Sequence, residues 1–242
     1  MTTLLQLGLV LAVGPAQAAE PPTPATVTAA PGRGLTVTSG DGRFSIGLRA
    51  RFQLRQTLDV ADGDVALATQ LATARIWVAG HLLSPDVRYL VQLAVAQRDF
   101  RDGATSPVFD AYFDLTHNPN LSFRVGQIFV PFDRLRTIRE LALQFSDRPR
   151  AVSELTLDRD IGVYAYSDHL GGDDSPVAYR IGLFGGSGIH QLAAHPPGGL
   201  GGGVNVYWNG HAFKLQSSVI GFVADDGTLA ELNARVALDA TV

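Results

Sequence analysis

The sequence predicts an all-β fold, an antiparallel up-and-down transmembrane β-barrel, and three observations carry that prediction. Polar and apolar residues alternate from Arg43 to Asp59. The same period of two returns, less cleanly, along most of the remaining chain. The connections between these segments run alternately long and short.

In the first segment the odd positions are Arg43, Ser45, Gly47, Arg49, Arg51, Gln53, Arg55, Thr57 and Asp59, and the even ones include Phe44, Ile46, Leu48, Ala50, Phe52, Leu54 and Leu58. Successive side chains of a strand point to opposite sides of the sheet, so this pattern gives one charged and one greasy face. Ordinary strands run about five or six residues, whereas a tilted bilayer-crossing strand needs about nine to eleven. The segment is long enough to cross. Further alternation is found at Ala72 to Leu82, Val87 to Arg98, Val108 to Thr116, Leu121 to Gln127, Ile161 to Ser167, Val177 to Phe184, Val204 to Asn209, Phe213 to Phe222 and Leu229 to Asp239. That makes about ten strands, with no convincing helix.

A soluble sandwich or lipocalin also alternates, so the connections are what separate the readings. In order they are Val60 to Thr69, Leu83 to Asp86, Asp99 to Pro107, His117 to Asn120 and Val130 to Asp160, then Asp168 to Pro176, Gly185 to Gly203 and the hairpin signal Asn209-Gly210. Outer-membrane barrels have short periplasmic turns and longer external loops. Only Ala224 to Gly227, short where an external loop is expected, breaks the order.

Face parity gives a register. Thr73, Arg75 and Trp77 in the second segment and Arg88, Gln92 and Ala94 in the third share the polar face if Leu82 sits opposite Val87. The fourth and fifth segments both turn even residues inward: Asp110, Tyr112 and Asp114, then Ser122, Arg124 and Gly126. A turn over Thr116 to Asn120 sets Tyr112 opposite Arg124, with Asp110 and Asp114 diagonal to it and within reach. An acidic-basic cluster is expected there.

The N-terminus reads as an export signal over residues 1–18: an apolar run from Leu4 to Val13, too short to span a bilayer, leads into Ala16-Gln17-Ala18. No Lys or Arg precedes that run, which makes the signal atypical. Residues 19–40, rich in proline, are expected to form a tether, and residues 41–242 the barrel, with an inward loop at 131–160. The 242 residues carry a net charge of −4, which argues against a nucleic-acid partner. Cysteine is absent, so neither disulfides nor thiolate metal sites are expected.

At Gly126-Gln127-Ile128-Phe129-Val130-Pro131-Phe132 the chain resembles the segment that leads into the constriction loop of the phosphate-selective porin O/P family. Phe145-Ser146-Asp147-Arg148 and Arg159-Asp160-Ile161-Gly162 are similar to two further elements of that family at similar spacing, and the likeness extends loosely from Asp41 to about Tyr166. The resemblance implies a passive outer-membrane channel for small solutes, anions such as phosphate among them. It also implies a homotrimer in contact with outer-membrane lipid, and a larger barrel of about sixteen strands of which the present ones would be part. The chain departs from the family where a lysine often precedes Pro-Phe; Lys214 is its only lysine.

The residues themselves supply seven candidate pore-lining positions for anions, Arg49, Arg51, Arg55, Arg75, Arg88, Arg124 and Arg180. Guanidinium groups hold phosphate or carboxylate through paired hydrogen bonds and create a positive field. The competing reading is a salt-bridge lattice in which Asp110, Asp114, Glu231 and Asp239 neutralise them. The segment from Pro131 to Asp160 balances six arginines with six acids, and Arg134, Arg136 and Arg139 near its start are the candidate constriction residues. A solvated external loop is the alternative there. No enzyme activity, cofactor or metal is expected. Asp168-His169, His190 and Ser187 lack a catalytic context, since Gly185-Gly186-Ser187-Gly188 is followed by no helix pattern, and the six histidines have no ligand spacing. Besides the channel, a soluble exported ligand-binding β-barrel and a membrane-barrel enzyme stay open at this point. The first differs in turning Phe44, Ile46, Leu48, Phe52 and Leu54 inward.

Overall fold

A computed structural model describes residues 23–61, 64–96, 99–100, 106–132, 158–185, 200–209, 214–223 and 233–241, with the backbone alone for 200, 220–223 and 233–241. The expected export signal at 1–18, Arg134, Arg136, Arg139, Ser187, His190 and most of the 131–160 segment lie outside these residues. Twelve strands form one antiparallel sheet in which each pairs with its sequence neighbours. They are β1 (Thr26–Ala30), β2 (Gly34–Thr38), β3 (Ser45–Ala61), β4 (Asp64–Leu82), β5 (Ser84–Ala94), β6 (Val108–Asn118), β7 (Leu121–Phe129), β8 (Arg159–Ser167), β9 (Val177–Phe184), β10 (Leu200–Asn209), β11 (Lys214–Val223) and β12 (Asn233–Thr241). The sheet is open, with β1 and β12 as its edges.

Each of the ten expected segments falls on a strand, β3 to β12, in the up-and-down order read, although Val95 and Ala96 of the third lie past the end of β5, and Gln97, Arg98, Phe213 and residues 229–232 lie outside the described residues. Three expectations are corrected, the first being the Gly-rich loop at Gly185 to Gly203, whose last four residues, Leu200–Gly203, already pair in the sheet as the start of β10. The stretch expected as a tether contains the β1–β2 hairpin, which pairs Thr26 with Thr38 and extends the sheet along the start of β3. Its threonines and valines favour extended backbone even though every β1 side chain is exposed. The long loop expected at Val60 to Thr69 is instead a continuation of both strands, with Val60 opposite Val65 and Ala61 opposite Asp64. Asp62-Gly63, between those ends, is the dipeptide that two-residue hairpins prefer. Between β2 and β3, Asp41 accepts hydrogen bonds from the Ser39 hydroxyl (2.5 Å) and the Arg43 backbone N–H (3.1 Å). Both hold its carboxyl below the usual carboxylate range.

Exposure follows the period of two. On the outer face Ile46, Leu48, Phe52, Leu54, Phe113, Leu115, Phe123, Val125, Val163, Ile181, Leu183, Val204, Val206, Trp208, Leu215 and Val219 are all exposed. On the inner face Gln92, Asp110, Asp114, Ser122, Tyr164, Tyr166, Asn205, Gln216 and Ser218 are buried. The inner face thus buries polar groups beside an apolar cluster, and the side chains exposed on the outer face are apolar, where a half-solvated sheet in water exposes polar ones.

Glycines make room for rings on the inner face. One row across the strands reads Tyr112, Gly126, Gly162, Phe184, and the next reads Asp114, Arg124, Tyr164, Gly182, Gly203. A Cβ at Gly162 would lie 2.7 Å from the Phe184 ring, and one at Gly182 would lie 2.6 Å from the Tyr164 Cβ. The rings of Tyr164, Tyr166 and Phe184 collect Ile128, Val130 and Phe132 into one buried cluster, with Tyr112 packed at its margin. The chain leaving β7 therefore lies on the inner face. It reaches as far as β10, where Asn205 Nδ2 donates to the Pro131 carbonyl at 2.8 Å.

Candidate functional site

The inner face from β4 to β10 carries a lattice of arginine, carboxylate and aromatic groups. At its centre Arg124 stands directly opposite Asp114 and binds it with both branches, Nε to Oδ1 at 3.2 Å and Nη2 to Oδ2 at 2.5 Å. The Tyr166 hydroxyl donates to the same Oδ1 at 2.8 Å. The Arg124 guanidinium lies 4.2 Å from the Tyr112 ring centre and 5.6 and 5.5 Å from those of Tyr164 and Tyr166. Stacking and bidentate bonding both need a planar cation, which is why lysine would not substitute here.

The expected acidic-basic cluster thus exists, but its register is displaced by two residues. Tyr112 pairs with Gly126, and it is Asp114 that faces Arg124. The displacement comes from the β6–β7 turn: Asn118 closes directly onto Leu121, its side chain accepts the Asn120 N–H at 2.9 Å, and the ladder is irregular between Leu115 and Asn118. Asp110 does not bind Arg124. It is taken by Arg159 of β8, whose Nε donates to Asp110 Oδ1 at 3.0 Å while Nη1 binds Asp158. At the third-segment turn the parity is as expected, with His81 opposite Arg88, but Leu82 pairs with Ser84 instead of Val87 because Leu83 turns with φ 65°.

The other candidates distribute as follows. Arg75 Nη2 donates to Asp99 Oδ1 at 2.7 Å, and its guanidinium shares the Phe109 ring with that of Arg159, at 4.3 and 3.6 Å from the centre. Arg180 binds Asp168 at 2.9 Å and lies over the Tyr207 ring. Arg51 donates to Gln53 Oε1 at 3.1 Å, and Arg88 to the Pro85 carbonyl at 3.0 Å. Arg49 is exposed opposite Trp77, and Arg55 lies opposite Gln70. Sequence reading missed Asp99 and Phe109 as partners and gave Arg159 no place on the wall. Inward parity of Tyr164 and Tyr166 was available as a signal, whereas the Arg159–Asp110 contact spans from β8 to β6 and left none. Among the described residues no His, Cys, Asp and Glu group could hold a metal ion. His169 Nδ1 is engaged with the Ser175 carbonyl at 3.1 Å.

Chemically, this wall holds its charges in pairs. A bidentate Arg–carboxylate unit has little outward field, so it fixes geometry more than it attracts ions. Arg49 and Arg88 form no ion pair among the described residues; Arg88 stands opposite Asp114, whereas Arg49 stands opposite Trp77 and is the candidate with no acid across from it. No protein-family model and no curated protein matches the chain.

Proposed function

We propose that the chain forms the wall of an outer-membrane β-barrel channel through which small solutes diffuse, anions such as phosphate being favoured over cations. The observation that carries this reading is the burial pattern: Phe44, Ile46, Leu48, Phe52 and Leu54, the residues a soluble binding protein would turn into its core, are all exposed. The opposite face carries the polar lattice. Lipid satisfies the first face and water the second. Closure of the open sheet belongs to the proposal, since unpaired strand edges do not persist in hydrocarbon. The motifs from Gly126 to Phe132 and from Arg159 to Gly162 support the same reading, as does the passage of Val130 to Phe132 over the inner face.

Conductance in a planar bilayer tests it. Purified protein is expected to give stepwise channels with an anion/cation permeability ratio above one. Arg49→Ala should lower that ratio, Asp114→Asn should raise it by uncovering Arg124, and Arg124→Ala should lower it by uncovering Asp114. A protein that inserts without conducting would contradict the channel, and three unchanged ratios would remove the anion assignment from these residues.

A further inference from the structure

Ser45 opens β3, and His81 near the end of β4 stands directly opposite it. Ser45 Oγ and His81 Nδ1 are 2.7 Å apart, and His81 Nε2 lies 2.8 Å from the Gly42 carbonyl oxygen. A carbonyl only accepts, so Nε2 carries the ring proton. In the neutral ring Nδ1 is then an acceptor, and the Ser45 hydroxyl donates to it. The same Oγ accepts the His81 backbone N–H at 3.0 Å, which leaves one of its lone pairs unused.

Both ends of this relay are fixed. Gly42 belongs to a turn in which the Ser39 N–H donates to the Phe44 carbonyl, the Phe44 N–H to Ser39 Oγ, and the Gly42 N–H to the Ser39 carbonyl. From the outer face the Tyr89 hydroxyl donates to the Ser45 carbonyl at 3.1 Å, beside Gly80, where a Cβ would strike that oxygen. A bond that only joined β3 to β4 would need no fixed tautomer, and an amide would serve as well.

The surroundings leave the hydroxyl approachable. Ser45 and His81 are half-buried on the inner face, and the next residue of β3 on that face is Gly47, so no side chain of the strand stands over Oγ from that direction. Arg88, opposite His81 on its other side, is exposed. Its Nε is held by the Pro85 carbonyl, and it forms no ion pair among the described residues. Asp114, its neighbour across β6, is bound by Arg124 and Tyr166. A guanidinium so placed has its Nη groups available for an anionic group of a substrate.

We propose that Ser45 and His81 form a hydrolytic pair that cleaves carboxylic esters bearing an anionic group, with Arg88 anchoring that group. Ser45 Oγ attacks the ester carbonyl carbon while its proton passes to His81 Nδ1. The alcohol oxygen takes that proton as its bond to carbon breaks, leaving an acyl-serine. Water then attacks the acyl carbon and gives a proton to Nδ1, which returns it to Oγ as the acid departs. The Gly42 carbonyl holds Nε2–H throughout, and no oxidant or further reactant is consumed. This activity is independent of conductance.

Labelling of the full-length protein with a fluorophosphonate, which phosphonylates base-activated serines, tests it. Peptide mapping of the unsubstituted protein is expected to place the label on Ser45. The protein should also hydrolyse p-nitrophenyl butyrate, and Ser45→Ala should abolish both reactions. His81→Asn keeps a hydrogen-bonding amide but no base, so a merely structural contact would leave labelling unchanged; a loss of about 10²-fold or more in its rate is expected. Arg88→Gln should lower the preference for mono-p-nitrophenyl succinate over the butyrate about tenfold, the worth of one charge-assisted hydrogen bond. Circular dichroism checks the fold of each variant. Absence of label from Ser45 in the unsubstituted protein, undiminished labelling of folded His81→Asn, or undiminished hydrolysis by Ser45→Ala would each overturn the pair. An unchanged preference in Arg88→Gln would overturn the anionic substrate class.

Discussion

Gly126→Ala is expected to destabilise the folded chain by more than about 3 kcal/mol, a cost at the upper end for a single substitution. The backbone at Gly126 has φ 135°, a region that L residues rarely enter, and a Cβ there would lie 2.1 Å from the Ala111 carbonyl oxygen and 2.8 Å from the Tyr112 Cα. Neither neighbour is the movable end of a side chain. The two strands β6 and β7 must separate to admit one methyl group, and the bonds lost lie next to the Arg124–Asp114 pair. Urea titration of the folded protein measures the loss. Gly42→Ala is the control: its φ of 69° is also left-handed, but nothing lies within 4 Å of the added carbon. That substitution should cost only about 1–2 kcal/mol.

Asp114→Ala comes next in size, at about 3 kcal/mol, the low end for breaking a buried ion pair. Asp114 is 8% exposed at its side chain and receives Arg124 Nε, Arg124 Nη2 and the Tyr166 hydroxyl. Removing it leaves three donors without their acceptor. The low end applies because Arg124 keeps 24% of its side chain exposed and can draw on water. Replacing both partners, Asp114→Leu with Arg124→Leu, should recover most of the loss, since no charge is then left in place. A double-mutant cycle on urea midpoints gives the coupling; an additive pair would show that the two groups do not act together.

How far the sequence carries depends on the range of each interaction. Strands β3 to β12 were legible because alternation is local, and the inward sets of β6 and β7 followed from parity alone. The register between those strands was not, because two residues of slip leave every side chain on its face and only the turn distinguishes them. Asn118, which sets that turn, looks like any other loop asparagine. The β3–β4 ribbon was missed for the opposite reason: Asp62-Gly63 is a plain hairpin signal, but the alanines at 66 and 68 weaken the alternation of the strand that follows. Candidate arginines were visible as inward cations. Their neutralisation was only partly visible, since Asp99 lies in a connecting segment and Asp110 is claimed from two strands away.

The claim on which the rest depends is that the even residues of β3 from Ile46 to Leu54 meet lipid and the odd ones meet water. Single cysteines placed in turn at positions 46 to 55, reconstituted in vesicles, test it directly. A water-soluble maleimide should label positions 47, 49, 51, 53 and 55, and fluorophores at 46, 48, 50, 52 and 54 should be quenched by brominated lipid. If the even positions are instead protected from both reagents, they belong to a protein core, and the membrane-channel account is wrong.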